Sequence, residues 1–286
     1  MVRQTAGAAV SRVRVLIART SAPPCPATGT APAAARRRDR AASREALRRV
    51  LVLLGLEPQV TGRTFPHRTV SLTHCPAGGC AAVVDDPVLP EVVGVGVDLE
   101  TDRPLPRRAA RYFCTADELA FVDALPPTDR SAQLLRLWTV KEALFKSDPE
   151  NAHTALRRYQ LPEPAAAGGV ADRRGGTRRL AFVYASRRWG AEQLSVAVAL
   201  TRRADLSPDR STHRSQVSRP VDVAARLAAA HPDAFERSSA GTPLAGLAGL
   251  VLDLPAAGPS RTAPRLEPLR TVAELTDFLD PQLRPS

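Results

Sequence analysis

Lys141 and Lys146 are the only lysines in a 286-residue chain that carries 40 Lys+Arg. Both stand in one short segment, Trp138-Thr-Val-Lys-Glu-Ala-Leu-Phe-Lys146. Every other basic side chain, histidines apart, is arginine. An ammonium is a compact point charge that can release a proton at accessible pH, whereas a guanidinium stays charged and is a poor acid. Two amines kept on either side of Glu142 point to chemistry that needs an amine. The plain alternative is two surface lysines surviving by chance in an arginine-biased chain.

Asp98 and Glu100 close the segment Val92-Val-Gly-Val-Gly-Val-Asp-Leu-Glu100. Residues two apart on a strand share a face, so these carboxylates converge at its end. Adjacent carboxylates repel unless a cation or proton joins them. Glu142 supplies a third acid from a helix. Three carboxylates without His or Cys companions suit a hard cation, and Mg²⁺ would keep waters and share phosphate oxygens. With ammonium groups nearby, such a site holds a polyphosphate and neutralises charge as it moves to a leaving group. Taken singly, the acids also read as a solvated strand end, and Glu142 and Lys146, four apart, as an ordinary surface ion pair.

Further candidates flank this set. His74 ends a strand in Ser71-Leu-Thr-His-Cys75, where a lone histidine is also a common structural residue. Arg63 follows Gly62 in a loop and can reach a phosphate. Arg44 and Arg48, four apart on a helix, share a face and can do the same. Each of these arginines alone also reads as solvated surface.

The elements that must position these residues follow from periodicity. Strands are expected over 12–18, 70–73, 80–84 and 91–100, and a hairpin over 180–186 and 193–200. Helices are expected over 36–56, 107–112, 116–124 and 130–147. The Pro/Ala-rich stretch 21–35 reads as loop, and residues 1–11 as unstructured. From 202 to 219 the chain is polar and aperiodic, a linker. Beyond it, 221–230 and 272–279 are helical candidates around a Pro/Ala/Gly-rich middle.

Bulk properties narrow the class. Hydrophobic content of 44% supports a globular core, while 26 Pro and 4% aromatics imply stretches that do not pack. A net charge of +11 favours an anionic partner: nucleic acid, a phosphate-rich small molecule or an acidic protein. The four cysteines form no CxxC pair and have no His-rich companion, so no zinc site is expected. The apolar run 13–18 is too short for a signal segment and 244–252 too short for a membrane span, so a cytoplasmic setting without membrane contact is the default expectation.

Taken in order, Gly62-Arg63, Ser71-Leu-Thr-His74, Gly96-Val-Asp98-Leu-Glu100, Phe113-Cys-Thr-Ala-Asp-Glu118 and Trp138-x-x-Lys141-Glu142-x-x-x-Lys146 make a specific set. Over about residues 12–205 they resemble the Sfp-type 4′-phosphopantetheinyl transferases, most closely the actinobacterial branch serving polyketide and peptide synthases. The resemblance implies transfer of phosphopantetheine from coenzyme A to a serine of an apo acyl or peptidyl carrier protein, releasing adenosine 3′,5′-bisphosphate. It implies an α+β fold, a pseudo-dimer of two similar halves with the active site between them, in a monomeric chain. By position, Asp98, Glu100 and Glu142 would hold Mg²⁺. Lys141 and Lys146 would stabilise or protonate the departing phosphate. Arg44, Arg48, Arg63 and His74 would grip coenzyme A. The general base stays open between Glu142 and a metal-linked water. Thr64 stands where the family's loop motif has proline.

The halves are expected at 12–95 and 96–205, with 206–286 as linker and tail, poorly ordered or small and helical. The tail faintly resembles an acyl carrier protein, but the stretch comparable to its loading site, Leu252-Asp253-Leu254, has no serine. Two other readings compete. One is a basic binding protein for nucleic acid or an acidic partner, the other an inactive carrier-docking paralogue. A pure binder has no need of Asp98, Glu100 and Glu142, and few aromatics are available to stack bases, so nucleic acid is not the expected partner.

Overall fold

Strand alternation sorts the apolar residues into three layers of core. In β1 (Ser11–Ser21), Val13, Val15 and Ile17 face one way, while Leu16 and Ala18 face the other. The second set packs against α1 (Pro32–Leu53) through Ala46, Leu47, Val50 and Leu51, a stripe at helical spacing. Strands β2 (Val70–Cys75) and β3 (Gly78–Val84) complete this half. The computed structural model describes residues 11–21, 32–54, 56–59, 65, 67–84, 92–175, 179–189, 192–202 and 247–254.

The second half begins with β4 (Val92–Thr101). Three helices follow, α2 (Arg107–Ala110), α3 (Ala116–Ala124) and α4 (Pro127–Ser147), and then two single 3₁₀ turns. Strands β5 (Tyr159–Gln160), β6 (Gly168–Arg173), β7 (Arg179–Trp189) and β8 (Glu192–Arg202) close it. A last strand, β9 (Leu247–Leu254), comes from the tail. One sheet has the order β2-β3-β1-β9 and the other β4-β8-β7-β6-β5, with every pair antiparallel.

The halves share a plan. In the first, β1-α1-β2-β3 folds so that the first strand pairs with the last and the last with the one before it. In the second, β4-α4-β7-β8 repeats that order. The two sheets meet face to face through Val13, Val15, Ile17, Ala82 and Val84 on one side and Val95, Val97, Leu99, Val196 and Val198 on the other. Helix α4 covers the outer face of the second sheet through Leu137, Val140, Ala143 and Leu144. The layers run helix, sheet, sheet, helix. This is the mixed α+β fold of two similar halves that the resemblance implied. Burial pushes the Cys75, Cys80 and Cys114 thiols up to about 12, so they behave as protonated core residues. No helix among the described residues is long and apolar enough to cross a membrane.

Several boundaries differ from the sequence expectation. Helix α1 starts at Pro32, not at 36, because proline is well suited to a first helical position and Ala33, Ala34 and Ala35 are strong helix formers. The β7–β8 ladder reaches Trp189 and Glu192, so most of the expected 187–192 connection is strand. Strands β5 and β6 were not expected. The first is only two residues long, and β6 opens on Gly168-Gly169 with a half-exposed, unalternating pattern. The boundary expected at 95/96 falls inside β4. Residues 247–254, expected as part of a tail outside the transferase halves, lie instead as β9 along β1, from Ser11↔Leu254 to Ala18↔Leu247. The Leu252-Asp253-Leu254 stretch is therefore strand and not the entry to a carrier-type helix. Arg202 closes β8; the rest of the expected linker and the helices expected over 221–230 and 272–279 lie outside the described residues.

Gly94 and Gly96 lie beneath α4 so closely that a Cβ at Gly94 would overlap the carbonyl oxygen of Ser147, and one at Gly96 that of Ala143. Neither obstacle is a movable side chain. Gly96→Ala should therefore destabilise the chain by about 3 kcal/mol, the upper part of the usual overpacking range. A midpoint shift in urea denaturation checks this.

Candidate active site

On β4 the odd residues Val95, Val97 and Leu99 enter the core between the sheets. The even residues Gly94, Gly96, Asp98 and Glu100 therefore face α4. The two glycines let the helix backbone settle on the strand, and the two acids follow where the helix offers side chains. Lys146 Nζ donates to Asp98 Oδ1 at 2.7 Å and approaches the Val97 carbonyl oxygen at 3.3 Å. Trp138, two turns earlier on α4, donates its indole N–H to Glu100 Oε1 at 2.7 Å. Arg103 adds an ion pair to the same oxygen at 3.1 Å and lies over the Trp138 ring, 5.6 Å from its centroid. Phe113 and Trp138 pack edge to face, with ring centroids 5.3 Å apart, which fixes the indole.

The first half reaches into this site through β2. Ser71 and Thr73 are buried on the face toward β4, and their hydroxyls accept from the N–H groups of Val97 (3.0 Å) and Leu99 (3.4 Å). Thr73 also donates to Asp98 Oδ1 at 2.9 Å. Asp98 Oδ1 thus has two donors. Its Oδ2 is buried and, among the described residues, has no hydrogen-bond partner. A buried carboxylate oxygen left in that state is costly and calls for a cation or donor.

The carboxylates feel one another. Burial raises Glu100 above the ordinary carboxylate value and Asp98 adds to the shift, while Arg103 and the Trp138 hydrogen bond oppose it. Burial also raises Glu142; Lys146 opposes this, and Asp98 and Glu100 reinforce it. For Lys146, burial alone would lower the ammonium, but Asp98, Glu142 and Glu100 override it and hold it above the usual lysine value. Asp98, Glu100, Glu142 and Lys146 therefore form one electrostatic cluster.

Lys141 is not part of it. Its side chain is 0% exposed, and Nζ donates to Glu118 Oε2 at 2.5 Å and to the Phe113 carbonyl at 2.7 Å. Burial lowers its ammonium, and Glu118 counters that. Glu118 is itself fixed. Thr115 and Glu118 form a capping box at the start of α3, and Glu118 Oε1 accepts from Leu161 N–H at 3.0 Å. Lys141, expected to handle phosphate, projects to another face of α4 and ties that helix to α3 and, through Glu118, to the residue just after β5.

The remaining candidates stand apart. His74 is exposed and, by alternation, lies on the face of β2 opposite Thr73. Arg44 and Arg48 are exposed on α1, and Arg48 pairs with Glu45 at 2.9 Å. Arg63 lies outside the described residues. Thr73 and Ser71 were missed as functional candidates. The signal was present, since two hydroxyls spaced two apart on a short strand must share a face, opposite the histidine that drew attention. The Thr115-x-x-Glu118 capping box was equally legible.

The half that carries the acids and Lys146 also carries the family signal. Residues 94–199 match the 4′-phosphopantetheinyl transferase superfamily. The matched stretch begins at Gly94 on β4 and ends within β8, so it holds Asp98, Glu100, Glu142 and Lys146 together with the Glu118–Lys141 pair. It spans less than half of the chain, and the β1–β3 half lies outside it. No curated protein matches the sequence. A domain of this superfamily supports transferase chemistry on phosphopantetheine in general, with coenzyme A and a carrier protein as the partners it implies.

Truncating Lys141 leaves Glu118 charged and buried without its partner, a change worth about 3–5 kcal/mol. Lys141→Ala should lower stability by that amount in chemical denaturation at neutral pH. Lys146→Ala takes the ammonium from buried Asp98, but at a position 26% exposed, where water can replace part of it, and should lower stability less. Equal losses would overturn the division between a structural and a site lysine.

Proposed function

We propose that the chain is a Mg²⁺-dependent, Sfp-type 4′-phosphopantetheinyl transferase that loads apo carrier proteins of polyketide or peptide synthases from coenzyme A. The observation that carries this reading is the buried Asp98 carboxylate, with Lys146 on one oxygen and, among the described residues, no hydrogen-bond partner on the other, inside the stretch that matches the superfamily. The repeat of β1-α1-β2-β3 by β4-α4-β7-β8 supports the Sfp-type branch and a monomer, because one chain supplies both halves.

A donor set of carboxylates alone suits Mg²⁺, and Asp98 Oδ2 is an oxygen that only a cation or donor would satisfy. As the side chains stand, no three Asp, Glu, His or Cys groups among the described residues close on one point; Glu100 is turned to Trp138 and Arg103. In this reading Asp98, Glu100 and Glu142 hold the ion, which when bound offsets charge on the coenzyme A pyrophosphate.

The reaction joins the carrier serine Oγ to the phosphorus that bears the pantetheine arm. The bond from that phosphorus to the bridging oxygen breaks, and the electron pair leaves on adenosine 3′,5′-bisphosphate. The serine proton goes to a base, Glu142 or a water beside it; burial already gives Glu142 a greater hold on a proton than an ordinary glutamate. Lys146 supplies the ammonium that meets charge on the departing phosphate. Lys141 positions α4, and with it Glu142 and Lys146. Arg44, Arg48, Arg63 and His74 are the candidate grips for the nucleotide end of coenzyme A. The net charge of +11 would steer acidic carrier proteins to the chain.

The test is incubation of apo carrier protein with coenzyme A and Mg²⁺, read by intact mass. One phosphopantetheine should be gained, and the gain should vanish with EDTA, with Asp98→Ala and with Lys146→Ala. No gain on several carrier types would overturn the reading.

A further inference from the structure

We infer that Thr73, on the half of the chain outside the superfamily match, is a positioning residue that holds the Asp98 carboxylate in its ion-binding orientation. The inference rests on the transferase reading above and deepens it. A threonine hydroxyl has one hydrogen to give and two lone pairs to receive with. At Thr73 the hydrogen goes to Asp98 Oδ1 at 2.9 Å, and a lone pair takes the Leu99 N–H at 3.4 Å. The β-branched side chain restricts rotation about χ1, so the hydroxyl keeps this aim. With Lys146 Nζ at 2.7 Å on the same oxygen, Oδ1 is held from the β2 side and from the α4 side at once. The plane of the carboxylate is thereby set, and Oδ2 is the oxygen left for a ligand. Without the hydroxyl, Lys146, at 26% exposure, is the one donor left on Oδ1 among the described residues, and the carboxylate can turn about χ2.

Ser71 provides an internal control. Its hydroxyl makes the equivalent bond between the halves, accepting from Val97 N–H at 3.0 Å, and is not a donor to Asp98. A loss caused by loosening the halves would follow either hydroxyl. A loss caused by a misaimed carboxylate would follow Thr73 alone.

Mn²⁺ binding to the full chain, followed by electron paramagnetic resonance, reads the site directly, with thermal unfolding recorded for each variant. Thr73→Val should weaken Mn²⁺ binding by about 10-fold, the lower part of the range for residues that orient a metal ligand. Thr73→Ser, which keeps the hydroxyl, should bind close to the unsubstituted chain. Ser71→Ala should lower the unfolding temperature yet keep the affinity. Thr73→Ala, which adds no bulk, gives the same readout if T73V does not fold. The inference is overturned if T73V and T73A bind Mn²⁺ like the unsubstituted chain, if Ser71→Ala weakens binding as much, or if the unsubstituted chain binds no Mn²⁺. Thr73-dependent Mn²⁺ binding in a chain that loads no carrier would sink the transferase reading alone. Carrier loading with binding indifferent to Thr73 would sink this inference alone.

Discussion

Helix α4 rests backbone to backbone on β4 at Gly94 and Gly96, and the position of the acids and Lys146 follows from that contact. Gly94 and Gly96 remove the Cβ atoms that would otherwise meet the carbonyl oxygens of Ser147 and Ala143. Close approach brings the last turns of the helix onto the start of the strand, so Lys146 is within hydrogen-bond reach of Asp98, and Trp138, further back, within reach of Glu100. On an ordinary strand the helix would stand off by the thickness of a side-chain layer. The ammonium would then reach Asp98 only as a solvated, screened pair, of little energetic consequence. The two glycines thus set the distance between the Lys146 ammonium and the Asp98 carboxylate.

The same helix explains why an arginine-biased chain keeps two lysines. Lys141 sits in a closed space with two acceptors, the Glu118 carboxylate and the Phe113 carbonyl. A guanidinium would bring five donors and a planar fork into that space, leaving several buried N–H groups unmatched. Lys146 meets a different demand. Its compact ammonium fits between Asp98, the Val97 carbonyl and the neighbouring Glu142. Lysine is therefore retained at both positions for its small head group, once for packing and once for charge at the site.

Much of this was legible in the sequence where burial leaves a period. The alternation in β1, the short apolar runs of β3, β4, β7 and β8 and the helical spacing of α1 and α4 placed nearly every element around the site, and the shared strand face of Asp98 and Glu100 followed directly. The errors share one cause, dependence on contacts distant in sequence. The two sides of α4 look alike in sequence, so only the arrival of Glu118 from α3 shows that Lys141 faces inward. Strand β9 carries a plausible apolar run, but nothing local says that its partner is β1, more than 200 residues earlier. Ser71 and Thr73 lie on a recognisable strand; their roles appear only when β2 is set beside β4.

The twofold plan places the acid cluster on one half and a support for it on the other. On β4 the residues facing the helix are Gly94, Gly96, Asp98 and Glu100; on β1 the corresponding face carries Leu16, Ala18 and Thr20, which pack or hydrogen-bond onto α1. The first half thus has no acids where the second has its cluster. What it contributes comes from β2, whose hydroxyls reach the unpaired edge of β4 at Val97 and Leu99 and, through Thr73, the carboxylate itself. A strand edge with open N–H groups must be satisfied somehow. Here the satisfying groups are side chains of the other half, so the joint that closes the edge also orients the acid. The β4–α4 half alone would keep its acids and Lys146 but lose one of the two donors that hold Asp98 Oδ1, so the joint between the halves belongs to the same cluster.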